Sequence, residues 1–242
     1  PSRATPGAAL RGGPERATRH AGEPRMPSPE PAFVPEYAFR SLPVDRQALQ
    51  AVGIWPTEAN ERRLADEFRV AKRAVLGQFA KMRHLGHRRV VAVASALPGE
   101  GKTFSSFHLA LSLALEREMN VLLIDGDVAR PTLSRALGLH GAFGLLNCLD
   151  GANSALDEAL YRTDIDRLWF MPAGQSIHTA SELLSSPRMP VLLDAVSGRI
   201  GHAVIVIDTP PLIPTVESRA LTDVADQVLV VVKANSTPEG AV

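Results

Sequence analysis

The chain has a single cysteine in 242 residues, Cys148, so no intrachain disulfide framework can form. That usage fits a reducing, cytoplasmic compartment, and Cys148 itself reads as a small buried hydrophobe. Long apolar runs are missing as well. None approaches the ~18–20 residues that span a bilayer, and no signal-peptide pattern opens the chain, so membrane contact is expected only through a partner. Neither sign of charge is in excess: Lys+Arg and Asp+Glu number 26 each. No global field therefore argues for nucleic acid as a partner. The seven histidines and one cysteine show no metal-ligand spacing. His108 in particular, four residues after Phe104, reads as core packing rather than a ligand. Tyrosine is scarce too, with only Tyr37 and Tyr161 present.

What is present is 45% hydrophobic and 21% charged, which suits one globular domain with extensions. Residues 1–40 are rich in Pro, Gly, Ala and Arg with little aliphatic content, and are expected to be a disordered tail. Residues 41–242 form the expected domain. Both ends look cut: the chain starts at Pro1, and in "STPEGAV" Ser236 or Thr237 would cap a helix with Pro238 and Glu239 in its first turn, with no room left to finish it.

Within the domain, Leu64, Phe68, Ala71 and Leu76 recur at helical spacing, surrounded by charge. Five short apolar runs, at 90–94, 121–124, 168–171, 203–207 and 228–232, then alternate with helical patterns. Strands this apolar are buried on both faces, so the expected fold is α/β, with a mainly parallel sheet covered by helices on both sides. Right-handed crossovers would bring the strand ends, and the polar motifs after them, to one edge.

The first such motif is Ala96-Leu97-Pro98-Gly99-Glu100-Gly101-Lys102-Thr103, between a strand and an amphipathic helix. It has the form of a phosphate-binding loop (P-loop), with alanine where glycine commonly starts the pattern. Gly99 and Gly101 would let the backbone curl so that successive N–H groups point inward, and the helix dipole would add positive potential. Nucleotide contacts are expected from Pro98, Gly99, Glu100, Gly101, Lys102, Thr103 and Phe104. Lys102 would reach the β/γ-phosphates and Thr103 would ligate Mg²⁺, while the Glu100 side chain is expected to turn to solvent. The second motif is "VLLIDGDVARP", with Asp125 and Asp127; the third is "AVIVIDTPPLIP", with Asp208. Carboxylates on the phosphate edge can hold Mg²⁺ and accept a hydroxyl proton during phosphoryl transfer.

Taken in order, "EFRVAKR" at 67–73, "SALPGEGKT" at 95–103, "LLIDGDVARP" at 122–131, "MPAG" at 171–174, "ELLSSPRM" at 182–189 and "IDTPPLIPTVESRAL" at 207–221 resemble the bacterial tyrosine kinases of exopolysaccharide and capsule assembly, of the exosortase-associated autokinase type. The resemblance implies an ATP- and Mg²⁺-dependent P-loop NTPase fold acting as a protein-tyrosine autokinase, with a membrane chain-length (co-polymerase) protein as partner. It implies catalytic roles for Lys102, Asp125 and Asp127, and metal ligation by Thr103, Asp127 and Asp208. It also implies a subunit interface through Glu67, Arg69, Lys72 and Arg73, hence a homo-oligomer placed at the inner membrane by its partner. The family's arginine two residues after the second aspartate is Ala129 here, with Arg130 one later, and its tyrosine-rich tail does not appear. The alternatives are a partition or division-site ATPase, or a nucleotide-binding adaptor. The ATPases carry a second lysine where this chain has Leu97, which favours the kinase.

Overall fold

The apolar runs become five adjacent strands of one seven-stranded sheet. The computed structural model describes residues 39–82, 89–151, 156–201 and 203–241. The expected tail over 1–40 therefore lies almost entirely outside the described residues, as does Tyr37. Strands are β1 (Arg40–Leu42), β2 (Arg89–Ala94), β3 (Asn120–Asp125), β4 (Tyr161–Thr163), β5 (Leu168–Met171), β6 (Ala203–Asp208) and β7 (Gln227–Val230), arranged β1-β4-β5-β3-β6-β2-β7. Every pairing is parallel except β4 with β5, which is antiparallel. The five predicted runs are β2, β3, β5, β6 and β7. Composition did not announce β1 and β4, because three-residue strands at a sheet margin, containing Arg40 and Arg162, carry no apolar run. Tyr161 opens β4 two residues after the end of α6 at Ala159, is buried, and its hydroxyl accepts from Arg40 Nη1 at 3.1 Å.

Alternation within the strands divides the core. Leu122, Ile124, Ile205 and Ile207 face a layer made by α5 (Leu145–Leu149), α7 (Ala180–Leu184), α8 (Arg188–Ile200) and α9 (Val216–Asp223). Val91, Val93, Val121, Leu123, Val204 and Val206 face the opposite layer, which contains α1 (Arg46–Ala51), α2 (Glu58–Lys81), α3 (Lys102–Ala114) and α4 (Thr132–Ala136). The short α6 (Leu156–Ala159) precedes β4. Burying both faces demands the continuous hydrophobic strands that the sequence displays. Cys148 is fully buried in the first layer, and burial pushes its thiol up to about 11.

The edge strand β7 behaves differently: Val228, Val230 and Val232 are 44–48% exposed in alternation, so only one face of this margin is covered. Beyond it the expected helix is a 3-10 turn, Glu239–Ala241, and the Thr237 hydroxyl has a distant partner described below. On α8, Val191 is exposed while Leu192 and Leu193 are buried.

Candidate functional site

The β2–α3 connection wraps as the glycine spacing demands. Gly99 and Gly101 have φ of +77° and +98°, the left-handed region that a Cβ disfavours, and Gly101 is the residue from which α3 springs. The resulting cleft, of about 640 Å³, is lined by Pro98, Gly99, Gly101, Lys102, Thr103 and Phe104 from the loop. Asp127, Ala129, Arg130 and Thr132 line it from the β3–α4 connection, Pro210, Pro211, Pro214 and Thr215 from the segment after β6, and Val52, Gly53 and Ile54 from the α1–α2 turn. Three connections at the carboxyl ends of neighbouring parallel strands thus meet around one opening, where such sheets hold ligands. The Val52–Ile54 wall was invisible to motif reading because its chemistry is apolar. It is fixed by His108, whose Nε2 lies 2.9 Å from the Ile54 carbonyl and whose ring packs among Phe68, Phe104 and Phe107. His108 is thus the packing residue that was expected.

Lys102 is buried, and its Nζ donates to Ser95 Oγ at 3.0 Å. Burial holds its pKa down, against the raising charges of Asp208, Asp127 and Glu100. Asp125 and Asp208 end β3 and β6 and are direct partners in the register of those strands. Between the strand end and the cleft, Gly126 has space only for hydrogen: a Cβ would come within 2.7 Å of the Asp208 carbonyl oxygen, to which Gly126 N–H donates at 2.8 Å. This close approach places the second aspartate motif against the third.

The two carboxylates lie under the cleft wall rather than in it, at 0% and 1% exposure. Asp127 is the member of the trio that lines the opening, with Oδ1 accepting from Arg130 N–H at 3.0 Å. Asp208 accepts from Ser106 Oγ at 3.0 Å, and the nearby Thr103 hydroxyl favours its charged form. Asp125 Oδ2 takes both the N–H and the hydroxyl of Ser134, at 2.8 and 2.7 Å. Its Oδ1, by contrast, is the one buried side-chain N or O among the described residues without a hydrogen-bond partner. Ser95, Ser106 and Ser134, which position these groups, were not anticipated, and no local spacing marks them.

Burial, then the charge of Asp208, pushes Asp125 up to about 8. Burial alone dominates in Asp208, which stands at about 7, and also raises Asp127. A folded-state pKa above the unfolded value near 4 means that the native state binds the extra proton between the two values. Stability then falls as pH rises through that window. The melting temperature of the ligand-free protein is expected to drop between about pH 6.5 and 8, the part of that window above the histidine range, and to level off beyond it, with Asp125→Asn flattening the slope in a pH series of thermal melts. His108, held low mainly by burial, acts in the opposite sense and only below about pH 6.5.

An unpartnered buried carboxylate oxygen, a second carboxylate in register and a cleft-lining third make a set of hard oxygen donors, completed by Thr103. This donor set fits a divalent cation such as Mg²⁺. Among the described residues no group of three or more His, Cys, Asp or Glu forms a metal cage.

Two expectations need correcting. Glu100 does not turn to solvent: it is 8% exposed, does not line the cleft, and accepts from Leu97 N–H at 2.7 Å and from the Thr237 hydroxyl. Those contacts, Thr237 foremost, hold its carboxyl below the ordinary range. Lys72 is not on an open face: it is buried, and its Nζ meets Glu116 Oε1 at 2.5 Å, tying α2 to the end of α3. Asp125, given a catalytic role by the resemblance, is fully buried and is not among the residues that line the cleft. Glu67, Arg69 and Arg73 are exposed on α2, with Arg69 3.0 Å from Asp66 and Glu67 3.9 Å from Arg63.

Comparison with known proteins places this geometry. A family model described as "AAA domain" matches residues 88–240. The succinoglycan biosynthesis transport protein ExoP of Rhizobium meliloti (strain 1021) is 31% identical over 197 residues, 80% of this chain and 24% of that protein. The tyrosine-protein kinase YwqD of Bacillus subtilis (strain 168) is 31% identical over 147 residues, 61% of this chain and 60% of that protein. The chain therefore spans less than two thirds of either relative. The BceF tyrosine kinase domain superposes with a TM-score of 0.64 at 29% identity, covering 84% of this chain and 83% of that one.

Proposed function

The chain belongs to the AAA domain family, and on that premise we propose that it is an ATP-dependent protein-tyrosine kinase serving the synthesis and export of an exopolysaccharide or capsule. The observation that carries the proposal is the stack at the phosphate edge: Lys102 at the loop, Asp127 in the cleft wall, and beneath them the registered pair Asp125–Asp208 with one oxygen unpartnered. The fold around this stack matches a tyrosine kinase domain at 29% identity.

The loop amides and the α3 N-terminus would hold the phosphates, and Lys102 would neutralise charge that builds on the transferred phosphoryl group. Mg²⁺ held by Thr103, Asp127 and Asp208 would supply further positive charge to the phosphate oxygens. Asp125 is assigned as proton acceptor for the tyrosine hydroxyl. Burial has raised its affinity for a proton, and its Oδ1 has a vacant lone pair. In-line attack by the phenolic oxygen on the γ-phosphorus would form the phosphotyrosine ester and break the bond to the β,γ-bridging oxygen, releasing ADP, while Asp125 takes the phenolic proton.

The relatives' names extend the proposal. ExoP is named for succinoglycan biosynthesis and transport, and YwqD as a tyrosine-protein kinase. We assign this chain a membrane co-polymerase partner and a peripheral place at the inner membrane. Among the described residues no helix is long and apolar enough to cross a membrane. The exposed charges Glu67, Arg69 and Arg73 on α2 would serve contact with a second copy.

Incubation with γ-labelled ATP, Mg²⁺ and a Glu/Tyr copolymer tests the activity. Tyr161 is 5% exposed and makes a poor acceptor, so the label should be on the copolymer, and any on the chain itself at Tyr37 rather than Tyr161. The label should be on tyrosine and should disappear with Asp125→Asn. Release of inorganic phosphate without any phosphotyrosine would overturn the kinase in favour of a simple ATPase.

A further inference from the structure

The charge inside the phosphate loop has an unusual neighbour. Glu100 lies between the two left-handed glycines, yet its side chain folds back under the loop, with each carboxylate oxygen engaged. Oε2 accepts from Leu97 N–H at 2.7 Å, closing the turn that begins the loop. Oε1 accepts from the hydroxyl of Thr237, 137 residues further along, in the segment that follows β7. Thr237 is itself built in: its oxygen accepts from Lys233 N–H at 3.1 Å, and its own N–H donates to the Lys233 carbonyl at 3.1 Å. The start of this segment is pinned to the loop strand, since Val231 N–H donates to the Ala94 carbonyl at 2.8 Å. The opening of the loop is stitched as well, with Ser95 Oγ donating to the Leu97 carbonyl and accepting from Lys102 Nζ. Glu100 therefore joins a loop whose backbone must be set for phosphate to a segment remote in sequence.

We propose that Glu100 and Thr237 are positioning residues that act as one unit, so that the loop reaches its binding shape only when the segment after β7 is seated against it. A charged acceptor with two donors is short and directional, and each donor fixes the carboxylate for the other. With the Thr237 hydroxyl removed, the Glu100 carboxylate regains rotamers that point to water, Leu97 N–H loses its acceptor, and the loop samples other conformations. Nucleotide must then select a fraction of the population, which weakens apparent affinity by that fraction. By linkage, nucleotide in the loop tightens the seating of the segment. The Glu100 carboxylate touches no phosphate in this scheme; its effect travels through the Leu97 amide. The affinity part of the proposal rests on the nucleotide reading of the cleft, while the tether itself does not.

Two measurements separate these parts. Amide hydrogen exchange on the ligand-free protein reads the tether directly: Thr237→Val should raise exchange at Leu97 at least about fivefold, and Thr237→Ser should restore protection. Calorimetric titration with ATP and Mg²⁺ reads its consequence. Thr237→Val and Glu100→Ala should each weaken binding by about five- to tenfold, and the double variant should be no worse than the weaker single one, as expected for groups acting as a unit. Unchanged Leu97 exchange in Thr237→Val would overturn the tether. Additive losses, or a lower melting temperature with unchanged affinity, would reduce Thr237 to a structural contact and overturn the positioning role. Exchange that responds as expected in a protein that binds no nucleotide would preserve the tether and reject the nucleotide reading instead.

Discussion

Lys102→Met is expected to weaken ATP binding at least about tenfold and to leave the fold intact. A charge-assisted contact to phosphate contributes roughly 1.5–3 kcal/mol, and ~1.4 kcal/mol is already tenfold. Methionine keeps most of the length and apolar volume of the stem but cannot meet the phosphate oxygens. Lys102 lies at 7% exposure, where burial disfavours its charge, so the apolar methionine stem offsets much of what is lost with the bond to Ser95. Thermal melting without nucleotide should accordingly stay within a few degrees of the parent. Melting with ATP and Mg²⁺ should lose most of the ligand-induced rise, because that rise follows the ratio of ligand concentration to dissociation constant. Calorimetric titration gives the affinity itself. Equal affinities for variant and parent would remove the phosphate-loop assignment, whatever the sequence pattern.

The second large effect is expected at Asp125. Removing a positioned proton acceptor costs about 10²–10⁴ in rate, so phosphotyrosine formation by Asp125→Asn should fall by at least about a hundredfold. ATP affinity should change little, since Asp125 does not line the cleft. The same variant should melt higher than the parent at pH 8.5. The parent must hold Asp125 charged and buried there, whereas asparagine keeps an acceptor for Ser134 without that charge. Greater stability together with lost turnover separates a catalytic role from a folding defect. A variant that retains phosphotyrosine formation would transfer the proton-accepting role to Asp127, the trio member in the cleft wall.

Much of the site could be read along the chain because phosphate chemistry is local. A glycine-rich turn from a buried strand into an amphipathic helix supplies its amides, dipole, lysine and hydroxyl within eight residues, 96–103, and folding leaves that order intact. The aspartates were legible for the related reason that strand ends in a parallel sheet share one edge. Their depths were not. Asp127 reaches the wall while Asp125 and Asp208 stay below because Gly126 packs against the Asp208 carbonyl, a contact between strands 83 residues apart in the register Asp125↔Asp208. The helical stripe in α2 was seen at Leu64, Phe68, Ala71 and Leu76, which are half-buried, whereas the fully buried positions are Lys72, Val75 and Phe79. A lysine among them contradicts any hydropathy rule and is explained only by Glu116 at the end of α3.

Alone, then, the sequence determined the sheet's apolar centre, the parallel class, the phosphate loop and the three acidic motifs, since each follows from residues adjacent in the chain and from the periods of strand and helix. Tertiary structure decided which charges stay free and which are consumed inside the fold. Glu100 and Lys72 looked like surface charges and are both internal, because their partners Thr237 and Glu116 are brought to them by packing. A buried charge is tolerable only where such a partner arrives, and no local pattern records that arrival.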